Sequence, residues 1–483
     1  MNIMSDSSRR GFLFTAGYGL GGLTLSAVLP GGGMLVTPVL AADFVDPLAP
    51  KQPHFPAKVK SVIWLHQAGA PSTLDLYDYK PELIKLAGQE IPPSFLKGLN
   101  VAIRGGTGKL YASNRTWKQY GESGAWFSDL LPNLAQHADK IAFIKSSTTI
   151  GATHDISILK LNTGSLTPGR PSLGAWVTYA LGSANPDLPA YIVLYNDSKE
   201  PRGGSVNWNS GFLPAVYQGT PFRPGDSPIL HLERPEFVSD TEEHGSLALL
   251  NSLNRDGAGK FPEDTELLAR NRSYEQAARM EVAAPEAVSL AKETEATKAL
   301  YGLNDEFSKG YGTNLLRARR LVERGVRFIQ VISGELDVAG EKRTWDAHNN
   351  LDENHGKHAR AVDKPIAGLL ADLKERGLLD STLVVWTSEF GRTSYGQSGN
   401  GRDHNPWGYT QWIAGGGVKG GTTFGQTDEV GLTSVGKTVD TYDLHATVLQ
   451  LLGLDHLKTT FLHNGRSERP TVVYGEVVKD LLA

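Results

Sequence analysis

Ser61-Val62-Ile63-Trp64-Leu65-His66-Gln67-Ala68-Gly69-Ala70-Pro71-Ser72 is the stretch on which the reading of the fold turns. Its first five residues are a short apolar run, as expected of a strand buried on both faces, and the run stops at a histidine and a loop of small residues. In open α/β sheets ligands gather beyond the carboxyl ends of such strands, so His66 stands where a site is expected. The pattern then alternates along the chain. Leu130 to Ala138 is predicted as a helix, Ile141 to Ile144 as a strand, Asp155 to Leu161 as a helix ending near Thr163-Gly164, and Leu188 to Leu194 as a strand. Leu315 to Arg324 reads as a helix stopped by Gly325, and Val326 to Ile332 as a strand. Ala361 to Arg376 is an amphipathic helix capped by Gly377, followed by an apolar strand from Ser381 to Trp386. Trp412 to Ala414 adds a strand and Leu444 to Leu452 a helix. Strands alternating with helices predict an α/β fold with a central, mostly parallel sheet and helices on both faces.

Outward from this body, the N-terminus carries Ser8-Arg9-Arg10-Gly11-Phe12-Leu13, a Gly-rich apolar run from Thr15 to Leu40, and Ala41-Ala42. Residues 1–42 are therefore read as a twin-arginine signal peptide and 43–60, rich in Pro and Lys, as a linker. Pro30, Pro38 and the glycines argue against a stable spanning helix there. No later stretch reaches the ~18 consecutive apolar residues of a transmembrane segment, so no membrane partner is expected after cleavage. The protein is expected in the periplasm or outside the cell, with the twin-arginine machinery as its export partner and a metal loaded before export. Cysteine is absent, so no disulfide braces the fold. Residues 61–483 form the α/β domain, in which 199–290 is either an inserted subdomain or long loops. The net charge of −4 and the lack of a Lys/Arg block exclude a nucleic-acid surface.

Polar residues crowd after several strands: Trp345-Asp346-Ala347-His348, then Asp352, His355 and His358, then Thr387-Ser388-Glu389-Phe390-Gly391-Arg392, and Gly401-Arg402-Asp403-His404-Asn405-Pro406. Carboxylate oxygen and neutral imidazole nitrogen are what hard or borderline divalent ions take, and Asp-x-His in a loop can aim both groups at one centre. Glu389 reads either as part of such a site or as a turn residue paired with Arg392. Asp403 and His404 are expected on a polar loop between Gly401 and Pro406, with a functional role. His355 and His358 are expected on a solvated loop or helix face, and His445 and His456 as structural histidines.

These residues, with Gln67 to Asp78, His154-Asp155 before Thr163-Gly164, Gly211-Phe212-Leu213-Pro214 and Gly415 to Gly421, make the chain resemble an exported bacterial family. That family is catalogued as domain of unknown function number fifteen hundred and one. It looks like a distant branch of the alkaline phosphatase and sulfatase superfamily, whose strand-end signature Thr-Ser-Asp-His/Asn-Gly is similar to Thr387 to Gly391. The superfamily places a nucleophile nine positions before a helix-ending Thr-Gly, and His154 stands there. No sulfatase maturation motif surrounds it, Glu389-Phe390 replaces an Asp-His pair, and His66 replaces a first-strand Asp.

The resemblance implies an exported metal-dependent hydrolase of an anionic phosphate or sulfate ester. Asp346, His348 and His404 would hold the divalent ion, with Glu389, Asp403 and His66 as further metal-site residues. Zinc, calcium, magnesium and manganese are not distinguished. Thr153 is the hydroxyl nucleophile candidate, and alternatively His154, beside Asp155, orients water or protonates the leaving group. Arg392 and Arg402 are candidate clamps on substrate oxygens. A competing expectation is a binding protein for sulfated or phosphorylated glycans that keeps the fold without the chemistry, and a third is a structural cell-surface component.

Overall fold

The structure is a computed structural model that describes residues 46–100, 108–196, 200–225, 228–229, 237–260, 275–276, 279–280 and 283–483. The signal peptide expected over 1–42 lies outside the described residues. The chain divides into two units, Pro47–Leu232 with Arg272–Ala483, and Met1–Asp46 with Glu233–Asn271.

The larger unit is built on β1 (Ser61–His66), β2 (Ile141–Ser147), β3 (Tyr191–Tyr195), β4 (Thr220–Phe222), β5 (Phe328–Ile332), β6 (Thr382–Thr387), a ribbon of β7 (Gly391–Gln397) with β8 (Gly401–Asn405), β9 (Tyr409–Gly415) and β10 (Thr423–Phe424). Its longer helices are α1 (His154–Thr163), α2 (Leu173–Leu181), α4 (Lys309–Glu323), α5 (Leu351–Glu375) and α6 (Thr441–Leu451), while α3 (Asp240–Lys260) belongs to the smaller unit. Eight strands form one sheet in the order β10-β2-β9-β6-β1-β5-β3-β4. Every neighbouring pair is parallel except the two made by β9, as the predicted mostly parallel sheet requires. A parallel return needs a crossover of a dozen or more residues, usually a helix. After β6 the chain instead folds the β7–β8 ribbon beyond the strand end and re-enters the sheet from that same side, so β9 runs antiparallel.

Successive side chains of a strand point to opposite faces, and here both faces are covered. Ile63, Leu65, Val331, Val384 and Trp386 pack with Leu315 and Leu316 of α4 and Leu369 and Leu370 of α5. Val62, Trp64, Leu383 and Val385 pack on the other side with Leu161 of α1, Val177 of α2 and Leu444 and Val448 of α6. That two-sided burial is why the strands read as continuous apolar runs.

Several expectations change. The segment predicted as a helix over Leu130 to Ala138 is instead a 3-10 helix at Leu134–Lys140, because Pro132 and Asn133 break it and the Asp363 carboxylate accepts the Asn133 and Leu134 amides. Helix α5 starts ten residues earlier than predicted, since its first turns bury His355, His358 and Asn354 rather than an apolar stripe. His355 and His358 are accordingly buried, not solvated. The His355 Nε2 accepts the Ser72 amide at 2.8 Å, and His358 Nε2 donates to the Arg343 carbonyl at 3.1 Å. The expected polar loop at Gly401 to Asn405 is the buried strand β8. Of the residues read as a linker, 47–60 run along the larger unit, where the Lys51 amide donates to Leu181 O and the Lys58 amide to Leu451 O. Of the stretch 199–290, Thr220–Phe222 is the sheet-edge strand β4. No helix among the described residues is long and apolar enough to cross a membrane.

His445 ties α6 to α1 by donating from Nε2 to the Leu161 carbonyl at 2.8 Å, and burial pulls its pKa down to about 4. Above about pH 6.5 the imidazole is neutral in both folded and unfolded chains; below it the unfolded chain takes up a proton that the folded chain refuses. His445 is therefore expected to cost the fold about 2 kcal/mol between pH 7 and pH 5. Urea unfolding at the two pH values should show a loss that is smaller by about that amount in His445→Gln.

Candidate metal centre

Four elements of the sheet deliver side chains to one spot beyond its parallel carboxyl ends. His66 is the last residue of β1, and it stands in register with Thr387 at the end of β6, so Glu389 follows two residues later in the turn beyond the adjacent strand. The loop after β5 carries Asp346 and His348. The segment after β2 ends at His154, the first residue of α1. In the ribbon, Arg392 of β7 is directly opposite His404 of β8, and cross-strand partners share a face, so both side chains reach Asp346 together.

Two glycines let these backbones approach. Gly69 has φ +96°, and a Cβ there would stand 2.2 Å from Thr344 Oγ1 and 2.6 Å from the Asp346 amide nitrogen. At Gly401 a Cβ would stand 2.1 Å from both the carbonyl carbon and oxygen of His348. Backbone bonds complete the joint: Trp345 N to Ala68 O at 3.0 Å and Arg402 N to Ala347 O at 3.0 Å.

His154, Asp346 and His404 offer ligand atoms that all lie within 4.8 Å of one another. Each imidazole around Asp346 spends its Nδ1 proton elsewhere. His154 Nδ1 donates to Glu389 Oε1 at 2.7 Å, His404 Nδ1 to the Ala152 carbonyl at 2.8 Å, and His348 Nδ1 to the side-chain oxygen of Gln397. A carbonyl or ionised carboxylate can only accept, so in a neutral ring Nε2 is the lone pair, and in a protonated ring Nε2–H donates to Asp346. The Nε2 atoms face the carboxylate: His154 Nε2 lies 3.1 Å from Asp346 Oδ2, and His348 and His404 Nε2 lie 3.1 and 3.3 Å from Oδ1. The buried His154 Nε2 makes no hydrogen bond of acceptable geometry. Lone pairs turned on a carboxylate are an arrangement that a cation completes, and ligating histidines characteristically give their other N–H to a carboxylate or carbonyl.

The electrostatics agree. Burial disfavours an ionised Asp346, but Arg392 and the three imidazoles outweigh it and hold the carboxyl far below its ordinary range. Burial likewise opposes charge on Glu389, yet the His154 and His66 hydrogen bonds keep it ionised. Burial lowers His404 to about 3, leaving its imidazole neutral near pH 7. On His154 burial is overcome by the two flanking carboxylates, which raise its affinity for positive charge.

The other predicted residues lie as follows. Glu389 is fully buried behind His154, accepting also from the Gly69 amide at 2.8 Å, from Ser388 Oγ at 3.3 Å and from His66 Nε2 at 3.3 Å. His66 thus meets Glu389 rather than Asp346. Asp403 accepts the His404 amide at 2.7 Å. Arg392 is buried, donating to Asp346 Oδ1 at 2.6 Å, to Ala70 O at 2.8 Å and to Gly69 O. Arg402 is buried against Asp75 Oδ2 at 2.9 Å and Thr393 O at 3.0 Å, away from Asp346. Thr153 is exposed at the start of α1, and Asp155 is exposed and paired with Arg202. Gln397, Asp75 and Arg202 were not singled out as site residues from the sequence. No spacing signals them, since their roles come from contacts with residues 49, 327 and 47 positions away.

Residues 59–482 match the family described as "Protein of unknown function (DUF1501)". The chain belongs to this family. Among curated proteins, none matches. Among solved structures the DUF1501 protein is similar to a protein in the alkaline phosphatase superfamily from Vibrio parahaemolyticus, with 10% identity and a TM-score of 0.36, covering 90% of this chain and 74% of that one. It is also similar to a sulfatase from Pseudoalteromonas sp., with 15% identity and a TM-score of 0.35, covering 86% and 72%. A third similarity is to the alkaline phosphatase of the Antarctic bacterium TAB5, with 12% identity and a TM-score of 0.31, covering 82% and 98%.

Because Gly401 meets backbone rather than a yielding side chain, Gly401→Ala in the DUF1501 protein is expected to part the ribbon from the Asp346 loop. Chemical denaturation should register a loss of about 1–3 kcal/mol, the usual cost of overpacking.

Proposed function

We propose that the protein is an exported, divalent-metal-dependent hydrolase of an anionic ester, phosphate or sulfate. The observation that carries this reading is the convergence of the His154, His348 and His404 Nε2 atoms on Asp346, with every Nδ1 proton engaged elsewhere. Asp346, His154 and His404 would hold the ion, with His348 beside them. A set this rich in imidazole suits zinc and similar borderline ions better than calcium or magnesium. When bound, a divalent ion there supplies Lewis acidity towards an ester oxygen and lowers the pKa of water towards ~7.

The chain's own groups do the rest. Glu389 fixes the His154 ring so that Nε2 points to Asp346. Arg392 neutralises part of Asp346 and pins the loop from below. Asp346 and Glu389 against Arg392 leave one net negative charge before any proton on the imidazoles is counted, and a divalent ion would reverse it and draw in an anionic substrate. With Nδ1 on Glu389 and Nε2 reserved for the ion, His154 would have no atom left for proton transfer to substrate. Thr153, exposed next to it, is the hydroxyl nucleophile candidate, with direct attack by water as the alternative.

A second reading is a non-catalytic binding protein for sulfated or phosphorylated glycans. It is favoured by one observation: the place where the resemblance puts a nucleophile is filled by His154, buried between two carboxylates.

Elemental analysis of the purified protein, together with p-nitrophenol release from phosphate and sulfate esters, separates the readings. Stoichiometric metal and turnover are expected, both lost in Asp346→Ala. Glu389→Gln should weaken metal binding by about 10–100-fold, as loss of a carboxylate behind a ligating histidine does. Stoichiometric metal without turnover on either ester would favour the binding protein, and absence of stoichiometric metal would end the metal-centre reading.

A further inference from the structure

The two buried histidines of the candidate centre share a third ring. Phe390, wholly buried in the turn after β6, has its centroid 4.9 Å from that of His154 and 4.4 Å from that of His404, tilted by 41° and 35°. The two imidazoles meet each other edge-on at 4.4 Å. Each of the three rings therefore packs on the other two, in the offset and edge-to-face arrangements that aromatic pairs prefer. Phe390 touches the very rings whose Nε2 atoms converge on Asp346, and it brings them hydrocarbon and no donor.

A second cation beside the first would call on Glu389, the carboxylate that shares His154 with Asp346. An ionised carboxylate has about four lone-pair sites, and four donors already meet this one. Oε1 accepts from the Gly69 amide at 2.8 Å and His154 Nδ1 at 2.7 Å, and Oε2 from His66 Nε2 and Ser388 Oγ, both at 3.3 Å. His66 adds a single buried nitrogen, Nδ1, which makes no hydrogen bond. A divalent ion takes at least three protein ligands in a site of this kind. Phe390, next in the chain to Glu389, supplies none. Among the described residues, His154, Asp346 and His404 are the group whose ligand atoms come together.

We propose that Phe390 keeps the centre to a single ion: its ring holds the His154 and His404 imidazoles in position, keeps water from that side and offers nothing to a second cation. Phe390 is thus a positioning residue. The inference rests on the metal-centre reading above and fixes how many ions that centre takes. One ion polarises one ester oxygen, but it cannot clamp the attacking and the leaving oxygen together as two ions about 3.5–4 Å apart do.

The test is titration of the metal-free protein with zinc against a chromophoric chelator, elemental analysis after desalting, and the visible and electron paramagnetic resonance spectra of the cobalt-loaded form. One zinc per chain is expected even from excess zinc, and the cobalt form should show an isolated, uncoupled ion. Phe390→Ala leaves both rings without backing and admits water. It should weaken zinc binding by about 10-fold or more and shift the cobalt absorption to the weaker bands of a higher-coordinate ion. Phe390→Leu restores an apolar filler and should recover most of the affinity and the spectrum. Two ions per chain in the unaltered protein, with coupled cobalt spins, would overturn the proposal and leave the hydrolase reading standing; this count decides even if Phe390→Ala does not fold. Unchanged zinc affinity and cobalt spectrum in Phe390→Ala would overturn it equally. An unaltered protein that takes up no zinc removes the metal centre itself, and the inference with it.

Discussion

Glu389 carries a negative charge at a point fully removed from water, and the centre is arranged around the need to satisfy it. An isolated carboxylate there would cost several kcal/mol. Four donors meet it instead: the Gly69 amide, Ser388 Oγ, His66 Nε2 and His154 Nδ1. The last of these has the largest consequence. By taking the Nδ1 proton of His154, Glu389 fixes the ring so that Nε2 is the nitrogen turned towards Asp346.

The same logic is repeated with different acceptors. A carbonyl, Ala152 O, sets the His404 ring, and an amide oxygen on Gln397 sets His348. Three rings held from behind turn three Nε2 atoms towards Asp346, so the fold itself organises the cluster. The buried arginines serve this organisation from below. Arg392 gathers the Gly69 and Ala70 carbonyls and Asp346, and Arg402 ties β8 to Asp75. Because Arg392 faces His404 across the ribbon, a slip of one residue in that register would turn the pair away from Asp346.

Much of the candidate site was legible as residue types without being legible as geometry. Asp346, His348 and Glu389 stood out because metal-capable groups followed apolar runs, His404 because it lies in a polar stretch between Gly401 and Pro406, and His154 through the resemblance. Their division of labour was not visible: Glu389 supports a histidine instead of joining Asp346, His66 supports Glu389, and Arg402 serves Asp75. The positions of His355 and His358 were misread because an N-terminal helical segment that buries imidazole and amide groups shows no apolar stripe.

The sequence by itself determined the alternation of buried strands and helices, since two-sided burial leaves unbroken apolar runs that end at polar residues. It also determined the glycines at 69 and 401, the absence of disulfides and the small net charge. Only the tertiary structure decided the direction of β9, the β7–β8 ribbon, and which groups meet at Asp346. Those depend on contacts between residues tens to hundreds of positions apart, fixed by strand register and by hydrogen bonds to specific ring atoms, and periodicity along a chain carries no record of either.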